Sequence, residues 1–192
     1  MSREQILSAI RQGKPELHPL PETIGFPSYI APADVVDTFL KTVASNGGIG
    51  VRTPSLEAVR AQIASEYDLT LPTLSHVSGL DLSNFTPTDN LRLLDDLNLV
   101  VLQGLTAVAE NACIWFDETA LGIRALPFIT LNVVAVVYEK DLVATMHEAY
   151  GRIDLDTGFG TFIAGPSKTA DIEQSLVIGA HGSKTMTVFL LP

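Results

Sequence analysis

Residues 129–137 (ITLNVVAVV) constrain the fold more than any other segment. They are rich in β-branched residues and bounded by turn signals, which suits a strand buried on both faces. The apolar stretch 128–138 is shorter than the ~20 residues a membrane-crossing helix needs. Other apolar runs occur at 49–52, 74–77, 99–102, 112–116, 158–164 and 185–191. Between them lie helical patterns. Residues 33–45 place Val35, Val36, Phe39, Leu40 and Val43 on one face and stop at Asn46-Gly47-Gly48. Residues 55–67 start on the cap Ser55 and carry Leu56, Val59 and Ile63. Residues 118–126 are weakly helical, 141–152 form a helix, and 169–175 begin one. Residues 81–97 read as loop with one helical turn or more. Strands alternating with helices predict an α/β domain, a mainly parallel sheet with helices on both faces. Ligands on such sheets are expected beyond the carboxyl ends of the strands.

The first residues predict a short helix over 2–11, with Ser2 and Gln5 as a capping box and Ile6, Leu7 and Ile10 as its apolar stripe. Pro15, Pro19, Pro21, Pro27 and Pro32 then mark an extended arm that lies over the body or over a neighbour. One domain over 1–192 is expected, with 1–32 as helix and arm.

Composition narrows the partners. With 12 basic and 22 acidic residues the formal charge is −10, which repels nucleic acid and anionic lipid surfaces. A local basic pocket for a small anion is still compatible with that balance. Mean hydropathy is +0.28, high for a monomer, and hints at an oligomer or partner surface. The single cysteine, Cys113, excludes an internal disulfide and an iron–sulfur cluster built within one chain. The first residues have no signal-peptide core, so a cytoplasmic location is expected.

Familiar cofactor motifs fail. Gly48-Ile49-Gly50 lacks the third glycine of a dinucleotide fingerprint, and there is no phosphate loop and no nucleophile elbow. His18, His76, His147 and His181 have no metal-ligand spacing, so no metal site is expected. The informative stretch is 165–182, GPSKTADIEQSLVIGAHG. A turn at Gly165, Pro166 and Ser167 follows an apolar run, and Ser167 or Thr169 can cap a helix containing Asp171 and Glu173. Free amides at such a turn favour an anion, and Lys168 adds positive charge. Equally, Asp171 and Glu173 can satisfy the helix dipole, leaving Ser167 and Thr169 as caps alone. His181 sits in a glycine-bounded loop before Gly182. It is open to reading as a proton carrier or as a turn histidine bonding a carbonyl.

GPSKTADIEQSLVIGAHG, followed by TMTVFLL, resembles the C-terminal signature of the lactate utilization protein C family, the LUD domain. Gly104-Leu105-Thr106 with Ala109-Glu110-Asn111 resembles its threonine and alanine–glutamate motif. Leu126-Pro127 and the run after it resemble its proline, buried strand and helix. The likeness covers about residues 95–192. Many members have threonine-glycine after the glutamate, where this chain has Asn111-Ala112. The resemblance implies a fold like that of the ribose-5-phosphate isomerase and CoA-transferase superfamily. It implies a component of an L-lactate oxidation system producing pyruvate, with iron–sulfur clusters carried by partner proteins and none in this chain. The partners so implied are those proteins and a small carboxylate or other anion, with self-association also open. The candidate catalytic groups are Glu110, because a glutamate can be the nucleophile in transferases of related fold, and His181. Thr106, Gly165, Ser167, Lys168, Thr169, Asp171 and Gly182 are the candidate ligand-binding residues. Glu110 equally suits a structural ion pair with Arg124 or Lys168. A stand-alone isomerase or transferase acting on a sugar phosphate or CoA thioester, and a non-catalytic ligand-binding scaffold, are the alternatives.

Overall fold

The computed structural model describes residues 2–16, 18–19, 34–87, 91–154, 158–169 and 177–192. The chain divides into two units, Met1–Ile30 and Ala31–Pro192. The first unit holds helix α1 (Arg3–Gln12), whose capping box closes as the spacing predicts: the Gln5 amide donates to Ser2 Oγ and the Ser2 amide to Gln5 Oε1. None of its residues is buried. Most of the expected proline arm lies outside the described residues.

The second unit is built on a five-stranded sheet. Its strands are β1 (Ile49–Arg52), β2 (Thr73–Ser75), β3 (Leu99–Gln103), β6 (Asn132–Tyr138) and β11 (Thr185–Leu191), ordered β1-β11-β6-β3-β2 and all parallel. Side chains alternate across it. Val100, Leu102, Val133, Ala135, Val137, Met186, Val188 and Leu190 enter one core, while Leu99, Val101, Val134, Val136, Phe189 and Leu191 enter the other. Helix α2 (Val35–Ser45) supplies Phe39 and Val43 to the first core, and α3 (Leu56–Glu66) supplies Val59 and Ile63 to the second. A mainly parallel sheet with helices on both faces is what the sequence pattern predicts. Each such Val, Leu, Ile, Phe or Met side chain taken from water stabilises the fold by roughly 1.5–3 kcal/mol. At the amino ends of the strands, Asn132 Nδ2 donates to the Asn98 carbonyl at 3.0 Å and the Thr185 hydroxyl donates to Asn132 Oδ1 at 2.7 Å.

A second, smaller sheet was not predicted. Its order is β7-β4-β5-β8, from Leu142–Val143, Thr106–Val108, Ile114–Asp117 and Gly160–Ile163. Two of its three pairings are antiparallel. Ala107, Ile114 and Phe116 face the central sheet, while Val108 and Val143 pack with Ala149 of α6 (Met146–Tyr150).

Several element boundaries depart from expectation. The segment 118–126 splits into α4 (Glu118–Leu121) and α5 (Leu126–Ile129), parted at Gly122, whose φ is +64°. The expected helix over 141–152 gives its first residues to β7, because Leu142 and Val143 complete the small sheet, and only α6 remains. Of the helix expected over 169–175, Thr169 alone falls among the described residues, and it lies in a strand. Lys168–Thr169 is a strand, β9, paired antiparallel with β10 (Val177–Ile178), and residues 170–176 lie outside the described ones. Within 81–97, where one helical turn or more is expected, Leu91–Asp96 forms a 3-10 helix.

Candidate functional site

The glycine-bounded loop and the turn after β8 meet. The Ser167 amide donates to the Ser183 carbonyl and the Gly179 amide donates to the Ser167 carbonyl, both at 2.9 Å. These bonds tie 165–167 to 179–183 and leave a cavity of about 230 Å³ between them. Gly165, Ser167, His181 and Gly182 line it, with Phe128 and Phe162 as its apolar walls. Two of its glycines are sterically required. Gly165 has φ +74°, and a Cβ there would stand 2.6 Å from the Asn46 carbonyl oxygen. A Cβ on Gly182 would stand 2.9 Å from Ser167 Cβ and 3.3 Å from the Phe128 carbonyl oxygen. Absence of these side chains lets the backbone segments close on one another.

His181 is exposed and is the one titratable side chain among the described residues lining the cavity. With the Ser167 hydroxyl beside it, the arrangement offers hydrogen-bond donors and, when the imidazole is protonated, a positive charge. A small anion with a short apolar part matches this lining.

The remaining candidates lie elsewhere. Thr106 is buried in β4, opposite Trp115. It reaches the cavity only through its neighbours: Trp115 pairs with Phe162, their ring centroids 4.8 Å apart, and Phe162 forms the wall. Lys168 is exposed on β9, and Thr169 beside it is half-buried; neither lines the cavity. Asp171 falls outside the described residues.

Glu110 is not brought to His181 as a lining residue of this cavity. Its Oε1 accepts from the Met146 amide at 2.8 Å, at the first turn of α6. Nor does it pair with Arg124, whose guanidinium bonds Glu118 at 2.7 Å. Beside Glu110, Asn111 is held by Asn46 Nδ2, which donates to its carbonyl at 2.8 Å. Ala112 has φ +56° and is buried. The departure that the resemblance implies at Asn111-Ala112 therefore includes a left-handed residue, the conformation that glycine adopts without cost. Cys113 is half-buried, and desolvation, then the nearby Glu110 charge, raises its thiol pKa.

The position of the cavity corrects the expected rim. Phe128 precedes β6 and His181 precedes β11, so the cavity lies at the amino ends of the parallel strands. A separate depression of about 340 Å³ lies at the carboxyl ends, edged by Arg52, Thr53 and Glu139, and contains none of the predicted residues. The sequence reading also missed Phe128 and Phe162. The proline turn at Pro127 was the one local signal that the chain bends there. Among the described residues, no group of three or more His, Cys, Asp or Glu side chains is placed to hold a metal ion.

These features define an α/β domain with a parallel core sheet and a loop-built cavity at its rim. The family model described as the LUD domain matches residues 88–191, and this chain belongs to that family. Lactate utilization protein C of Shouchella clausii is 33% identical over 89 residues, covering 43% of this chain and 38% of that protein. Lactate utilization protein C of Deinococcus radiodurans is 30% identical over 117 residues, covering 59% of this chain and 55% of that protein. The matched region thus spans from under two fifths to just over half of these relatives' length. A crystal structure of a DUF162 family protein from Deinococcus radiodurans superposes with a TM-score of 0.60 at 18% identity, covering 82% of this chain and 96% of that one. That likeness shows the fold. No helix among the described residues is long and apolar enough to cross a membrane.

Proposed function

We propose that this chain is a cytoplasmic component of an L-lactate utilization system, binding a small carboxylate in the Ser167–His181 cavity while iron–sulfur partner proteins carry the electrons. The observation that carries this reading is the cavity itself. Two segments of the family-like C-terminal stretch close on each other through Gly182 and bring a hydroxyl and an exposed imidazole to one cavity. Its volume of about 230 Å³ fits a three-carbon acid better than a nucleotide. The names of the curated relatives supply the pathway. What supports the division of labour is chemistry: the one cysteine of this sequence, Cys113, cannot by itself ligate a cluster, and the sequence carries no dinucleotide fingerprint.

The test joins genetics to binding. Disrupting the gene should abolish growth on L-lactate, and growth that persists would remove the pathway assignment. Lactate or pyruvate should raise the melting temperature of the purified protein. His181→Ala should lose that shift while keeping the fold. A shift unaffected by this substitution would place the ligand elsewhere.

A further inference from the structure

Two further depressions continue along the amino rim of the central sheet beyond the Ser167–His181 cavity. They share Leu71 and Asn98, so they form one groove. Its apolar surface is unusually open: Ile49 is 55% exposed, Leu71 43% and Leu131 41%. Its edges are acidic, with Glu66 and Asp68 on one side and Asp95 and Asp96 on the other. Hydrogen bonds from the Thr70 hydroxyl and amide hold the Asp68 carboxyl below the usual range, which keeps it charged. Among the described residues no lysine, arginine or histidine lines the groove.

Helix α1 has the opposite character. Ile6 and Ile10, one turn apart, are 46% and 55% exposed, and Leu7 lies between them on the same stripe. Arg3 and Arg11 stand on the same side of the helix as that stripe, with Glu4 beside Arg11 at its edge, and Lys14 follows. In a chain of formal charge −10, this is an apolar face on which Arg3, Arg11 and Lys14 outweigh Glu4. An exposed apolar groove edged by carboxylates and an exposed apolar helix edged by guanidinium groups are complementary in both hydrophobicity and sign.

We propose that α1 of one copy docks its Ile6–Leu7–Ile10 stripe into the acid-edged groove of a second copy, each copy donating its helix to the other in a two-fold dimer. The proposal stands on different residues from the lactate reading and survives that reading's failure.

Sedimentation of the full chain over a range of concentrations tests it. A monomer–dimer equilibrium is expected, weakened by salt. Ile6→Ser with Ile10→Ser, and separately Asp95→Lys with Asp96→Lys, should each raise the dissociation constant about tenfold or more. All four positions are exposed, and unchanged melting curves would confirm that folding is intact. Arg3→Glu with Arg11→Glu should also dissociate the dimer, and adding the two lysine substitutions at Asp95 and Asp96 should restore it. A chain that stays monomeric at every concentration overturns the proposal, and so does a dimer indifferent to both sets of substitutions.

Discussion

The two sheets of this domain differ in almost every respect except that they share a core. In the central sheet β3, β6 and β11 run five to seven residues, side chains are buried on both faces, and pairing is wholly parallel. In the small sheet no strand exceeds four residues. One of its turns passes through the left-handed Ala112, and the strand Gly160–Ile163 leads directly into the cavity wall. Regularity and burial belong to the scaffold, while short strands and turns carry the irregular geometry that a binding site uses. The small sheet should therefore tolerate change that the central one does not.

The largest effect should come from the central sheet. Phe189 is fully buried, and Phe189→Ala should cost about 3–5 kcal/mol in urea unfolding. A cost below about 1 kcal/mol would erase the distinction between the sheets. Next comes their junction. A Cβ on Gly104 would stand 2.5 Å from Ile114 Cγ2 and 2.8 Å from Val137 Cγ2. Gly104→Ala should destabilise by about 1–3 kcal/mol through overpacking, because those two side chains belong to different sheets and neither can withdraw freely.

Changes confined to the small sheet should be milder. Glu110→Gln removes a charged acceptor from the start of α6 and should cost less than about 1 kcal/mol. It should also speed alkylation of Cys113. The Glu110 charge helps raise that thiol's pKa, so neutralising it increases the thiolate fraction at a fixed pH below the pKa. Burial dominates the shift, so the reaction should still lag behind that of a free cysteine. Catalytic turnover abolished by Glu110→Gln would contradict the structural role its Met146 contact gives it. The smallest effect is expected at Ala112. Glycine there relieves about 1–2 kcal/mol of left-handed strain. It also loses a buried methyl worth about 0.8 kcal/mol and adds freedom to the unfolded chain. Ala112→Gly should thus change stability by less than about 1 kcal/mol, whereas Ala112→Val should be plainly destabilising.

The same contrast governs what could be read from the amino acids alone. Runs such as VVAVV and TVFLL announce buried strands because both faces are apolar, and Phe39, Val43, Val59 and Ile63 announce their helices by spacing. Leu142 and Val143 sit in a helical pattern, and only their pairing with Ala107 and Val108 makes them a strand. Thr169 is equally suited to capping a helix or entering a strand, and its partner Val177 decides which. At the site, the Ser167 and His181 loops could be recognised one by one from glycine and turn chemistry. Their meeting could not, since it depends on backbone bonds between 167 and 183. Nor could the diversion of Glu110 to Met146, a contact spanning 36 positions.

The hydrogen-bonded trio Asn98, Asn132 and Thr185 has a consequence for folding fidelity. Strands as uniformly aliphatic as those of the central sheet give little penalty for sliding past one another, since every shifted arrangement still presents oily surface to both sides. The trio supplies a zero mark. Only one alignment of the three strands brings an amide, a carbonyl and a hydroxyl together, and any slip would strand them beside aliphatic neighbours. A few polar atoms at the sheet's mouth thereby select one alignment from a set that hydrophobicity alone would leave nearly equal.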